Sequence, residues 1–107
     1  MSIQIPRGDP DPTINAIIEC LRPYDERNPD AKIEVYRQNP VSVRVRVVDP
    51  TFKQLSRSER SKMVWPILRL LPEDVLQEIS FVILVPPEEE QSSMSSREFD
   101  DPLPSRF

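Results

Sequence analysis

The chain has 107 residues, of which 37% are hydrophobic, with one cysteine, one glycine, no histidine and a net charge of −4. That length admits one domain with one modest core. A lone cysteine excludes an internal disulfide, and the lack of imidazole removes Ser-His and Cys-His nucleophiles, most acid–base schemes near neutral pH and most metal sites. With Gly8 as the only glycine, no Gly-rich phosphate loop or GxxG clamp can form. The longest uninterrupted apolar run is residues 81–85, far below the ~20 residues a membrane helix needs. The first residues lack the basic start, apolar stretch and small-residue cleavage site of a signal peptide. A reducing, cytoplasmic location and no membrane association are therefore expected. Charge is segregated. Residues 31–72 hold nine basic and three acidic side chains, whereas residues 86–107 hold six acidic and two basic ones.

Residues 1–10, with Pro6, Gly8 and Pro10, read as an irregular lead-in. Asp11-Pro12-Thr13 is a helix start, with Asp11 as N-cap and proline at the first helical position. Ile14, Ile17, Ile18 and Leu21 follow on one face, and Pro23 is expected to limit the helix. Cys20, in its last turn, reads as a small, partly buried hydrophobe. Residues 24–31 read as a polar loop. Residues 32–37 and 41–47 alternate as strands do. Pairing Arg37 with Val41 across a three-residue loop places Ile33, Val35, Val43 and Val45 on one face. Glu34 then lies beside Arg44 and Lys32 beside Arg46, and this charged face is expected to be solvated.

Asp49-Pro50 ends the second strand. Ser56 and Glu59 form a capping box, opening a helix with Val64, Ile67, Leu68 and Leu71 as its stripe. Pro66 predicts a kink or break near Trp65. A short helix restarts at Pro72-Glu73-Asp74. Residues 79–85 suit a strand covered on much of both faces, and Pro86-Pro87 terminates it. Residues 11–87 thus form the domain, and residues 88–107 read as an acidic, mostly mobile tail. An alternative is that Glu88, Glu89, Glu90, Asp100 and Asp101 fold back over the basic helix entrance, anchored by Phe99 and Phe107. The expected fold is α+β, a small three-stranded mixed sheet with helices on one face.

Residues 47–65, through Phe52, Arg60, Lys62, Val64 and Trp65, resemble the BolA family. Residues 32–35 resemble its first strand, and Pro86-Pro87-Glu88-Glu89 its proline–acid helix start. The resemblance covers roughly residues 13–90. It implies a fold similar to the type II KH module and links to transcriptional regulation. It also implies an iron–sulfur cluster shared with a monothiol glutaredoxin. The chain departs from the pattern at Ser61, where the family has a helix histidine that helps hold that cluster, and at Gln54, where glycine is usual.

No set of side chains looks catalytic. Asp25 and Glu26 read as loop solvation, and Glu73 and Asp74 as favourable charge at a helix N-terminus. The expectation is a non-catalytic adaptor or regulator that binds a protein partner without a cofactor or metal of its own. The candidate site is Lys53, Arg57, Arg60, Ser61 and Lys62 at the helix entrance, together with the neighbouring sheet edge. The same residues would contact phosphates if the partner were nucleic acid, and cluster sharing with a glutaredoxin is a third possibility. Trp65 reads as core or edge packing. Ser92, Ser93, Ser95 and Ser96 would add negative charge to the tail if phosphorylated.

Overall fold

Asp11 caps the first helix as its spacing requires: Oδ1 accepts from the Ile14 N–H at 2.9 Å. In the computed structural model, which describes residues 3–101, the elements in chain order are β1 (Ile3–Gln4), α1 (Pro12–Arg27), β2 (Lys32–Asn39), β3 (Ser42–Val48), a 3-10 turn (Pro50–Gln54), α2 (Arg57–Leu68), α3 (Glu73–Leu76), β4 (Ile79–Val85), a second 3-10 turn (Pro87–Glu89) and α4 (Met94–Asp100). The fold is α+β. One mixed sheet runs β1-β2-β3-β4, with β2 and β3 antiparallel and both edge strands added in parallel.

The sheet has four strands rather than three, because part of the lead-in joins it: Ile3 pairs with Ile33 and Gln4 with Glu34. Two residues are too short for a period-2 pattern to show in the sequence. Gly8, at φ +74°, then turns the chain in the left-handed region that suits glycine.

The faces of the hairpin follow the alternation, but its register does not. Glu34 lies opposite Arg46, and Tyr36 opposite Arg44. The predicted pairing is displaced by two residues. An irregularity between Arg37 and Asn39 takes up one residue, and the Asn39 side chain accepts from the Val41 N–H at 2.9 Å, tightening the turn. A shift of two leaves every side chain on its own face, so alternation cannot detect it.

Proline does less than its usual reputation suggests. α1 runs through Pro23 to Arg27, because Tyr24 is buried and its hydroxyl donates to Asp49 Oδ2 at 2.6 Å. Burial and that hydrogen bond push the Tyr24 pKa far up. Asp25 is likewise buried rather than solvated, and its Oδ1 meets no donor among the described residues. α2 also runs through Pro66 to Leu68 without a break, held by Val64 and Leu68 in the core. Cys20 is half-buried and bonds Ile67 O at 3.1 Å, tying α1 to α2, and burial raises its thiol pKa.

The core has two parts. On one face of the sheet, Ile33, Val35, Val45 and Val47 pack against Ile14, Ile17, Leu21, Phe52 and Leu68 from the helices and first 3-10 turn. On the other, Tyr36, Val48, Ile83 and Val85 cluster with Phe99 of α4. Helices therefore cover both faces, not one. β4 contributes to each core, Val82 and Leu84 to the first and Ile83 and Val85 to the second.

Up to Asp101, then, the segment expected as a mobile acidic tail is built into the fold. Ser93 caps α4 by accepting from Ser96 N–H at 3.4 Å. Phe99 meets Tyr36 edge-on with ring centroids 4.7 Å apart, and the Tyr36 hydroxyl donates to Phe99 O at 2.8 Å. Composition misjudged the segment because one aromatic ring and a few ion pairs suffice to dock so short a helix. Phe107 lies outside the described residues.

The charged sheet face is consequently covered. Arg46 is only 2% exposed. Its Nη2 lies 2.7 Å from Glu34 Oε1 and 2.8 Å from Asp100 Oδ1, its Nη1 donates to Ser96 Oγ at 2.8 Å, and its guanidinium stacks 4.5 Å from the Phe99 ring centroid. Burial alone would lower the Arg46 pKa, but the bonds to Asp100 and Glu34 outweigh it and the net direction is upward. Arg44 lies 3.2 Å from Glu98 and stacks over Phe81.

Phe99→Ala removes the ring that α4 buries. Urea unfolding should show a loss of about 3–5 kcal/mol, the usual cost of emptying a buried aromatic site. A loss under about 0.5 kcal/mol would mean that α4 is not docked.

Candidate functional site

The capping box read from the sequence forms in full. Ser56 Oγ accepts from Glu59 N–H at 3.2 Å and Glu59 Oε1 accepts from Ser56 N–H at 2.8 Å. The same backbone N–H bond holds the Glu59 carboxyl below its ordinary pKa. This cap fixes where α2 begins, and hence where the basic residues stand.

The five candidate residues do not act as one patch. Arg60 faces inward and is 8% exposed. Its Nε donates to Phe52 O at 3.0 Å and Leu55 O at 3.1 Å, and its Nη1 to Leu84 O at 3.1 Å. Its Nη2 pairs with Glu89 at 3.1 Å. These bonds tie the first 3-10 turn, α2, β4 and the second 3-10 turn together. Arg60 therefore serves the fold rather than presenting its charge. Lys53 is exposed, and Glu88 lies 3.7 Å from it. Arg57 and Lys62 are exposed, and no carboxylate lies within 4 Å of either among the described residues. Glu88 and Glu89 thus perform part of the fold-back weighed from the sequence, whereas Asp100 turns to Arg46 instead.

Arg57, Arg60 and Ser61 share a groove of about 210 Å³ along β4, with Trp65 of α2 on one wall and Ser93 and Ser95 on the other. Its floor includes residues 82–85 of β4. Trp65 is half-buried, packed against the core while lining this groove. Lys53 and Lys62 do not line it. The sequence reading includes a sheet edge beside the helix entrance, but it does not identify that edge as β4 or bring in Ser93 and Ser95, because only the strand order makes β4 an edge. The available signal was its unbroken apolar run without a charged residue, unusual for an edge strand.

Chemically, the groove offers one guanidinium with no carboxylate partner among the described residues, three hydroxyls and strand backbone. It can hydrogen-bond and attract negative charge. Among the described residues no three Cys, Asp or Glu side chains gather as a metal set, and no helix is long and apolar enough to cross a membrane.

Compared with known proteins, the chain matches no family model, no curated protein and no solved structure.

The two arginines are expected to separate in denaturation experiments. Arg60→Met should cost about 3 kcal/mol, because it strands buried carbonyls and the Glu89 carboxylate. Arg57→Ala should stay within about 0.5 kcal/mol of wild type, as exposed substitutions do. Equal losses would refute the division into a structural and a free arginine.

Proposed function

We propose that this chain is a non-catalytic, BolA-like adaptor that binds a protein partner through the α2 entrance and the neighbouring β4 edge. The observation that carries this reading is the groove itself: an edge strand flanked by Arg57 and Trp65, on a body whose two sheet faces are already covered. Arginine and tryptophan are the residue types that dominate protein contact sites. The BolA-like part of the reading is supported by the residues quoted from the sequence and by the mixed α+β sheet; Pro87–Glu89, expected to start the last helix, instead forms a 3-10 turn, and that helix begins at Met94 behind the Ser93 cap.

Nucleic-acid binding has less support. Of the four cations proposed for phosphate contact, Arg60 is spent on carbonyls and Glu89, and Lys53 faces Glu88. That leaves Arg57 and Lys62, few for a site whose affinity comes from neutralising several phosphates. A cluster shared with a monothiol glutaredoxin would receive no imidazole from this chain, and a serine hydroxyl at position 61 is a poor iron ligand beside imidazole or thiolate.

A photo-crosslinking residue placed at Lys62 should capture a partner in native extract much more strongly than one placed at Asn15, which is exposed on α1. Equal capture from both positions would contradict the reading.

A further inference from the structure

β4 ends the sheet, so among the described residues one of its edges has no neighbouring strand. The direction of its peptide groups can be read from its bonds. Asp49 N–H donates to Val85 O at 3.0 Å on the β3 side. Alternation along the strand then turns Phe81, Ile83 and Val85 toward β3 and turns Val82 and Leu84 outward. The contact of Leu84 O with Arg60 Nη1 at 3.1 Å agrees with this. The N–H groups of Val82 and Leu84 and the carbonyl of Val82 are left facing the groove. An apolar edge strand with open peptide groups is a template for another strand.

We propose that the groove takes an extended, acidic peptide segment of a partner, added as a fifth strand beside β4 with a carboxylate on Arg57. This rests on the protein-binding reading above and names the kind of partner. Two observations choose the occupant. The charged side chains lining the groove are Arg57, Arg60 and Glu89, and Arg60 and Glu89 neutralise each other at 3.1 Å. The Arg57 guanidinium is left to attract an anion. The groove is also walled on both sides of the strand, by α2 below and by Ser93 and Ser95 above. A lone extended segment meets one pair of walls. The β4 of a second copy would bring its own pair of flanking walls to the same edge. Main-chain bonds to Val82 and Leu84 would supply affinity, and the cavity beside Trp65 would take a side chain, the division of labour usual in strand addition.

The probe is an N-acetylated, fluorescently labelled eight-residue peptide alternating valine with glutamate, titrated into the full chain at low salt and followed by anisotropy. Saturable binding is expected. It should weaken about tenfold with Arg57→Glu, a change that suits the first turn of a helix and leaves the fold intact. It should weaken as much when alternate peptide nitrogens are methylated, and it should vanish when lysine replaces glutamate. Amide exchange should slow at Val82 and Leu84 on binding. Binding indifferent to N-methylation, protection that bypasses Val82 and Leu84, or no binding would overturn the proposal. So would slow exchange at those two amides without peptide in a self-associated chain, since a second copy would then be the occupant. If the peptide fails while capture from Lys62 still exceeds capture from Asn15, strand addition is wrong and the protein-binding reading stands. If capture is equal from both positions, that reading itself fails.

Discussion

The guanidinium of Arg46 is placed where water cannot reach it, and the far half of the molecule is arranged to satisfy it. Desolvating an arginine costs several kcal/mol unless its donors are met. Here Glu34 comes from the neighbouring strand, Asp100 and Ser96 from α4, and the Phe99 ring stacks on the guanidinium plane. Together these contacts convert a charged strand face into an interior, and they require α4 to lie across β3 and β4. The geometry needs arginine rather than lysine, because a planar fork can serve two carboxylates and a hydroxyl at once.

That constraint carries through to function. With α1, α2 and the first 3-10 turn packed on one face and α4 on the other, neither face of the sheet is open as a platform for stacking bases or docking a helix. What remains is the rim. On the β4 side the rim is shaped by Arg60, which draws α2 and the second 3-10 turn to the strand end, and by Ser93 and Ser95 at the beginning of α4. The position of α4, set by Arg46, therefore helps to build the second wall of the groove. Two arginines three residues apart differ in orientation, Arg60 turned inward to the carbonyls it binds and Arg57 turned out to solvent.

Much of the first face was legible in the sequence. The Asp11 and Ser56 caps, the Ile14-Ile17-Leu21 stripe and the inward valines of the hairpin follow from local rules that depend on nearby residues only. Apart from the hairpin register, which alternation leaves open, the errors share a cause: a partner remote in sequence. Pro23 was read as a stop because the pull of Asp49 on Tyr24, twenty-five residues on, is invisible locally. Arg46 was read as solvated because the helix that covers it lies fifty residues away in an acidic segment of low apolar content. Arg60 looked like part of a basic patch because charge can be counted along a chain, while the carbonyls that consume it cannot. The helix–hairpin–helix–strand order followed from the same caps, stripes and alternation, none of which shows that β4 lies at the sheet edge.

Amide hydrogen exchange in Arg46→Lys tests the central role of the buried guanidinium most directly. The account predicts that backbone amides of α4, such as those of Arg97 and Asp101, lose most of their protection, while the β2–β3 ladder around Val35 and Val45 exchanges as slowly as before. Unchanged protection in α4, or α4 amides that already exchange freely in the wild-type chain, would contradict it.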